Sequence, residues 1–269
     1  MIRALALAAA LLAPPAAAAA TEVDVELMLA VDISRSMDID ELRIQRAGYV
    51  AALRDPAVHR AIQSGLLGQI AVSYVEWAGA GKRETVIDWT LIDGPESARE
   101  VAELLTWHPV QAVTGTSISD VIEFSVSDMA RNEFDGLRRV IDISGDGPNN
   151  TGPAVTAARD AAVAAGVTIN GLPLMMNARD GLFSLRDLDI YYQDCVIGGP
   201  QSFVLPVWDA AKFADTIRRK LILEIAGIPG PRVIHAQLSL TPRRRAPRID
   251  CLIGEKLRAQ WLRDGGGEW

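Results

Sequence analysis

Apolar and β-branched residues in the first 225 positions concentrate in short runs that end at polar or glycine-containing segments. Five runs are apolar enough for buried strands: 23–31, 69–77, 140–144, 167–174 and 202–207. Near-continuous apolar strands of this kind are typical of parallel sheets covered on both faces. A sixth run, 84–92, alternates only in part and follows a turn at 79–82, so it predicts an antiparallel hairpin partner at a sheet edge.

Between these runs, apolar residues recur at helical spacing. The predicted helices are 41–53, 96–105, 117–130, 153–165, 185–192 and 209–225. Asp38 or Asp40 can cap the first of them, and Pro153 stands in the first turn of the fourth. Strands that alternate with helices in this order predict an α/β fold. We expect a doubly wound, mostly parallel sheet with one antiparallel edge strand and helices on both faces.

The two ends of the chain depart from this pattern. Residues 1–20 combine a basic start, an apolar stretch and an Ala-x-Ala ending, which predicts a bacterial export signal. A membrane anchor is the alternative, but about a dozen apolar residues fall short of the ~20 that span a bilayer. We therefore expect a signal over 1–20, a domain over 21–226 and an extension over 227–269, with no transmembrane segment in the mature chain. The expected location is the periplasm or the extracellular space.

The extension has its own predicted elements, a strand over 233–240 and a helix over 255–263.

The net charge of the chain limits the classes of partner that it can bind. Without residues 1–20 there are 26 Lys and Arg against 34 Asp and Glu, a net charge of −8. Nucleic-acid binding needs a basic surface, so we expect no nucleic acid as partner. Cys195 and Cys251 would both meet an oxidising compartment, where a disulfide is favoured over two unrelated thiols.

Five oxygen-bearing side chains stand in three segments that follow or face strand ends. Asp32, Ser34 and Ser36 form a D-x-S-x-S run after the first strand, Thr116 lies in Thr-Gly-Thr, and Asp146 follows the fourth strand. Those two strands are neighbours in the common order of doubly wound sheets, so the aspartates meet at one sheet edge. Three hydroxyls and two carboxylates suit a hard cation. We expect Mg²⁺, with Mn²⁺ or Ca²⁺ as alternatives.

Helix capping is the competing explanation, because Ser and Asp are favoured at helix starts whatever the function. Capping would account for Ser36 or Ser117, but not for five residues on three convergent loops. Asn149 and Asn150 follow Asp146 closely. They either support the turn or face a ligand, and we include them as candidate ligand-binding residues.

The same residues resemble the von Willebrand factor type A (VWA) superfamily and its metal-ion-dependent adhesion site (MIDAS), which uses D-x-S-x-S, a threonine and an aspartate on three loops. Within that superfamily the chain is similar to exported bacterial proteins grouped as DUF1194, over residues 23–226. One position departs from the pattern, because Gly145 precedes Asp146 where the family usually has threonine. The resemblance implies divalent-metal-dependent binding of another macromolecule.

The metal set itself points to the same function. If the hydroxyls bind directly and a carboxylate binds through water, a divalent cation is left under-neutralised, so it can accept an exposed Asp or Glu from a partner protein. We therefore expect a non-enzymatic, adhesion-type module. A magnesium-dependent hydrolase or phosphatase is the first alternative, although Ser34 stands where such an enzyme needs a second acidic residue. A structural envelope-assembly protein with a stabilising metal is the second.

Overall fold

The computed structural model describes residues 19–176, 184–227 and 248–266. The strands, numbered in chain order, are β1 (Thr21–Val23), β2 (Val25–Asp32), β3 (Ile70–Trp77), β4 (Arg83–Ile92), β5 (Phe134–Gly136), β6 (Arg139–Gly145) and β7 (Val167–Pro173). The central sheet has the order β4-β3-β2-β6-β7. Its β3–β4 pair is antiparallel and its other pairs are parallel. The predicted fold class is thereby confirmed, and β1 and β5 add a short parallel pair.

Helices cover both faces of this sheet. They are α1 (Ile39–Leu53), α2 (Pro56–Gln63), α3 (Pro95–Trp107), α4 (Ile118–Met129), α5 (Val155–Ala164), α6 (Leu188–Tyr191), α7 (Phe213–Ala226) and α8 (Ile253–Arg263). Buried side chains of α1, α2, α3 and α7 belong to the hydrophobic cluster on one face. Those of α4, α5 and α6 belong to the cluster on the other. Strand β2 contributes Leu27 and Leu29 to the first and Met28 and Ala30 to the second, which explains its unbroken apolar run.

The strand predicted over 202–207 does not form as a full strand. The segment is extended, but it contributes only isolated parallel bridges from Val204 to Gly171 and from Val207 to Leu174 within the described residues. The backbone groups of Leu205 and Val207 face β7, where Pro173 has no N–H to donate to Leu205, and the Phe203 N–H donates to the Asn170 side chain at 3.1 Å. These two losses interrupt the ladder that a full strand would need.

Two helical segments also differ from the prediction. The helix expected over 185–192 begins later, at Leu188, and continues into a π-helical turn over Tyr192–Val196. Helix α2 was missed, although its signals are present. Asp55 accepts a hydrogen bond from the N–H of Ala57, and Pro56 occupies the first helical position. At only eight residues, the helix is too short for its apolar spacing to stand out.

A cluster of charged side chains is buried between α7 and the sheet. Lys220 of α7 lies with its Nζ 2.6 Å from Oδ1 of Asp142 on β6, and it also pairs with Glu224 one turn along its own helix. Asn170 of β7 donates to Oε1 of Glu224 at 3.0 Å. Burial and the charge of Asp142 raise the pKa of Glu224 to about 7. One ammonium group therefore faces two carboxylates in a buried site.

The end of the chain is bound to the domain. Cys195, in the π-helical turn, and Cys251, just before α8, form the predicted disulfide. Arg248 adds an ion pair to Asp194 at 2.8 Å. Gly254 at the start of α8 lies so close to the loop after β6 that an added Cβ would stand 2.1 Å from the carbonyl oxygen of Asn149. A helix over the predicted range 255–263 is confirmed as part of α8.

Within the described ranges, no helix combines the length and apolar character needed to cross a membrane. Most of the predicted export segment, residues 1–18, lies outside those ranges, as does the strand predicted over 233–240.

Candidate metal centre

The carboxyl ends of β2 and β6 bring the two aspartates together. These strands pair in parallel with Val31 opposite Ser144, so Asp32 and Asp146 leave the sheet on the same edge and on adjacent strands. The loop after β2 is fixed by its neighbour. The N–H of Arg35 donates to the carbonyl oxygen of Val113 at 3.0 Å, ahead of the Thr116 segment. The convergence expected from topology is therefore present.

A chain of hydrogen bonds connects four of the five candidate ligands. The N–H of Ser34 donates to Oδ1 of Asp32 at 2.7 Å. The hydroxyls of Ser34 and Ser36 lie 2.9 Å apart, and the Ser36 hydroxyl donates to Oδ1 of Asp146 at 2.7 Å. Asp32 and Ser34 are buried, whereas Ser36 is exposed. The set thus runs from the interior to the surface, as a site that meets an external ligand requires.

Helix capping by serine does not account for the hydrogen bonds that connect these four candidate ligands. Asp38 caps α1, accepting hydrogen bonds from the N–H groups of Asp40 and Glu41, so Ser36 is not the cap. Ser117 does cap α4, accepting from the N–H of Asp120. Capping therefore explains Ser117 but leaves the candidate ligand set intact.

The electrostatics of the two aspartates favour a cation. Burial raises the pKa of Asp32 well above its ordinary value, and the charge of Asp146 raises it further. Burial, followed by the charge of Glu41, raises the pKa of Asp146 to about 6. Oδ2 of Asp32 is buried and has no hydrogen-bond partner among the described residues. A divalent cation would satisfy this atom and stabilise both ionised carboxylates, so these oxygen donors fit such an ion.

The side chain of Thr116 makes no hydrogen bond to the other four candidate ligands among the described residues, and Thr116 is connected to the loop after β6 through its backbone. Its N–H donates to Oδ1 of Asn150 at 3.0 Å, and its carbonyl oxygen accepts from the N–H of Asn150 at 2.9 Å. Thr116 is itself buried. Asn150 thereby joins the threonine loop to the loop that follows Asp146.

Asn149 has a similar connecting function. It is fully buried, and its Oδ1 accepts from the N–H of Ser119 at 3.0 Å, while its Nδ2 donates to Oε1 of Glu255 on α8 at 2.7 Å. Its backbone N–H donates to the hydroxyl of Tyr191 at 3.1 Å. Both candidate ligand-binding asparagines therefore use their amides to connect loops in this structure, which corresponds to the supporting alternative.

Sequence patterns did not reveal two residues next to the site. Gln45 of α1 donates from Nε2 to the carbonyl oxygen of Asp32 at 2.9 Å and accepts from the Ser144 hydroxyl at 3.1 Å. The hydroxyl of Tyr192 lies beside Gly145, where a Cβ would be 2.8 Å from both that hydroxyl and Oδ2 of Asp32. Gln45 had a weak signal, a polar residue on the buried side of a helix. Tyr192 had none, because its position depends on the path of a distant turn.

No group of three or more His, Cys, Asp or Glu side chains is placed to hold a metal ion within the part of the chain that the structure describes. The candidate set has only two carboxylates. Hydroxyl oxygens would have to supply its other protein ligands, which favours a hard cation over a transition metal that prefers imidazole or thiolate.

A family model described as "Protein of unknown function (DUF1194)" matches residues 22–229. No curated protein matches the chain. Among solved structures, the pilus adhesin SpaC from Lactobacillus rhamnosus GG in its open conformation is similar, with a TM-score of 0.56, 12% identity and coverage of 77% of this chain and 31% of that one.

Two further solved structures are similar to this chain. A von Willebrand factor type A protein from Catenulispora acidiphila has a TM-score of 0.51 and 15% identity over 76% of this chain and 43% of that one. Proximal thread matrix protein 1 from the mussel byssus, with a zinc-occupied MIDAS motif, has a TM-score of 0.50 and 12% identity over 78% of this chain and 49% of that one. This chain spans less than half the length of each of the three. The similarity shows a VWA-type fold.

Proposed function

We propose that this chain, which belongs to the DUF1194 family, is an exported, non-enzymatic binding protein that grips a partner protein through a divalent cation. The proposed protein ligands are Asp32, Ser34, Ser36, Thr116 and Asp146. An exposed Asp or Glu carboxylate of the partner completes the coordination. Mg²⁺ is the expected ion, with Mn²⁺ and Ca²⁺ as alternatives.

One observation carries the proposal. Oδ2 of Asp32 is buried without a hydrogen-bond partner in the described part of the chain, on a carboxylate whose pKa burial and Asp146 both raise. Two neighbouring carboxylates, one of them fully buried, are unfavourable unless a proton or a cation lies between them. The serine hydroxyls that connect them are oxygen donors of the type that hard cations use.

Each residue has a distinct part in this arrangement. The backbone of Ser34 orients Asp32, and Gln45 holds the backbone of Asp32 in place. Ser36 and Asp146 stand nearer the surface, where an incoming carboxylate would arrive. When bound, the cation supplies an electrophilic centre for a carboxylate oxygen. Where one of the two aspartates binds through water, the neutral hydroxyl ligands leave that centre with positive charge, so an acidic partner is favoured over a neutral or basic one.

The same loops offer little to a hydrolytic reaction. The ring of His59 contacts the carbonyl oxygen of Leu53, and the ring of His108 contacts Glu84, so the two histidines that the structure describes have partners away from the site. Lys220 is buried with Asp142 and Glu224. A general base for hydrolysis needs to lie within hydrogen-bond reach of its substrate. These three side chains instead contact residues away from the candidate metal centre.

An exported location agrees with this function. The similar solved structures include a pilus adhesin and a byssus matrix protein, and the disulfide suits an oxidising compartment. We propose that residues 1–20 direct export and are removed, that 21–226 form the binding domain, and that 227–269 form an extension. The location is then periplasmic or secreted.

Acetate tests the carboxylate preference directly. Protein loaded with a small fraction of Mn²⁺ is expected to broaden the methyl resonance of acetate in proton spectra, because the paramagnetic ion holds the carboxylate in its coordination shell. Acetamide, which has the same size but no charge, should be much less broadened. Both spectra are recorded again with Asp146→Asn.

That variant is expected to show only the broadening of free Mn²⁺. Equal effects on acetate and acetamide in the wild type would contradict a carboxylate-accepting site. Equal effects in wild type and variant would place the ion elsewhere on the protein.

A further inference from the structure

Tyr192 approaches the candidate metal centre from the face of the sheet that α4, α5 and α6 cover. It begins the π-helical turn Tyr192–Val196, and its side chain is fully buried. Two glycines on adjacent strands make room for it. A Cβ on Gly171 would stand 2.6 Å from Cδ1 of the ring, and a Cβ on Gly145 would stand 2.8 Å from the hydroxyl. The ring therefore crosses the sheet face over Gly171 and ends at Gly145.

The hydroxyl ends beside the unpartnered oxygen of Asp32. The same Cβ on Gly145 would stand 2.8 Å from Oδ2 of Asp32, so hydroxyl and carboxylate face one small volume. Both atoms are buried, and neither has a hydrogen-bond partner in the described residues. A phenol is a donor and an ionised carboxylate is an acceptor, so the two groups are chemically complementary. Leaving both unpaired in the interior costs free energy.

This packing explains why glycine stands at position 145, where the VWA pattern usually has threonine. Any side chain at that position would meet both the Tyr192 hydroxyl and Asp32. The threonine that the VWA pattern usually has before the aspartate does not fit together with this tyrosine. Gly145 and Tyr192 are thus two parts of one local arrangement.

Building on the proposed metal site, we propose that Tyr192 is a positioning residue for Asp32. Oδ2 has two lone pairs, so in the metal-loaded protein it can face the cation with one and accept a hydrogen bond from the Tyr192 hydroxyl with the other. The N–H of Ser34 already holds Oδ1, so the carboxylate is then oriented from both sides. Residues that orient metal ligands in this way commonly change metal affinity by about 10- to 100-fold when removed.

An unpaired tyrosine hydroxyl alone would not support this assignment. Tyr49 and Tyr74 also have buried hydroxyls without a hydrogen-bond partner among the described residues, and both belong to the cluster on the other face of the sheet. The assignment rests on the place where the Tyr192 hydroxyl ends. Tyr74 supplies a matched control, because Tyr74→Phe removes a similar group on β3.

The test compares Tyr192→Phe with Tyr74→Phe in the full mature chain, using Mg²⁺ as the probe. Calorimetry is expected to show affinity at least about tenfold weaker for Tyr192→Phe and unchanged for Tyr74→Phe. Mg²⁺ should also alter the near-ultraviolet absorbance of tyrosine in the wild type and in Tyr74→Phe, but not in Tyr192→Phe. A residue that only fills space would leave both affinity and spectrum unchanged.

Wild-type affinity in a folded Tyr192→Phe protein would overturn the inference while leaving the metal site in place. If that variant does not fold, Gly171→Ala tests the same contact, because its methyl group would stand 2.6 Å from Cδ1 of Tyr192 and so displace the ring, while none of its three nearest atoms belongs to a proposed ligand. Unchanged affinity in Gly171→Ala would overturn the inference equally. A wild-type protein that binds no divalent ion would overturn the proposed function and this inference together.

Discussion

Replacing Lys220 by methionine is expected to lower the free energy of unfolding by about 3 to 5 kcal/mol, the usual cost of removing one partner from a buried ion cluster. Lys220 is fully buried, with its Nζ 2.6 Å from Asp142 and in contact with Glu224. Methionine preserves the length of the side chain but removes the ammonium group. Two carboxylates would then face each other without a counter-charge. Urea unfolding followed by circular dichroism measures the loss.

The loss should depend on pH. Burial already raises the pKa of Glu224 to about 7, and removing the ammonium raises it further. A carboxyl whose pKa is raised by folding stabilises the protein fully below its unfolded pKa, and this stability is lost as pH rises through the folded pKa. Lys220→Met should therefore be most destabilising near about pH 8 and least near about pH 5.

A charge-free version supplies the control. The triple variant Lys220→Met, Asp142→Asn, Glu224→Gln has the same lysine replacement but no buried carboxylates, so it should recover most of the lost stability. Wild-type stability of the single variant at the higher pH would contradict the account, since it would mean that the cluster contains no uncompensated charge.

Removing the disulfide is the second change with a large expected effect. The Cys195→Ser, Cys251→Ser variant opens a cross-link between residues 56 positions apart. By the loop-entropy relation it should lose about 4 kcal/mol of unfolding free energy. Denaturant unfolding of the two proteins, and of the wild type in reducing agent, measures this loss. Reduction should reproduce the double variant.

The disulfide also has a local consequence. Cys251 precedes α8, whose Glu255 accepts a hydrogen bond from Asn149, three positions after Asp146. Without the cross-link, amide hydrogen exchange over α8 and over the loop after β6 should accelerate more than exchange over β2. A loss below about 1 kcal/mol, with unchanged exchange in α8, would contradict the expectation and show that non-covalent contacts anchor the tail.

The sheet could be predicted from the sequence because its evidence is local. Strand β2 has apolar residues on both faces, and Asp32 marks its end, so its limits and parallel character follow from the pattern. The adjacency of β2 and β6 followed from a general topological rule. The extended segment at 202–207 was over-interpreted, because whether a proline-containing run completes a ladder depends on its partner strand.

The candidate ligands could be predicted for a similar reason, whereas their supports could not. Asp32, Ser34 and Ser36 are neighbours in sequence, so their spacing carries information. Tyr192 reaches Asp32 only because glycines 145 and 171 clear its path across two strands. Asn149 is joined to Glu255 over 106 positions. No local pattern encodes contacts of this kind, and they become visible only when the chain is folded.

The claim that these loops hold a divalent cation is tested most directly by calorimetric titration of the metal-stripped protein with Mg²⁺, Mn²⁺ and Ca²⁺. Asp146→Asn is titrated beside it, with Asp40→Asn as a control that removes the same charge from an exposed position nearby. We expect one site in the wild type and in Asp40→Asn, and affinity weaker by more than about 100-fold in Asp146→Asn, beyond the usual effect of an outer-shell partner. No binding by the wild type, or equal binding by all three proteins, would contradict the claim.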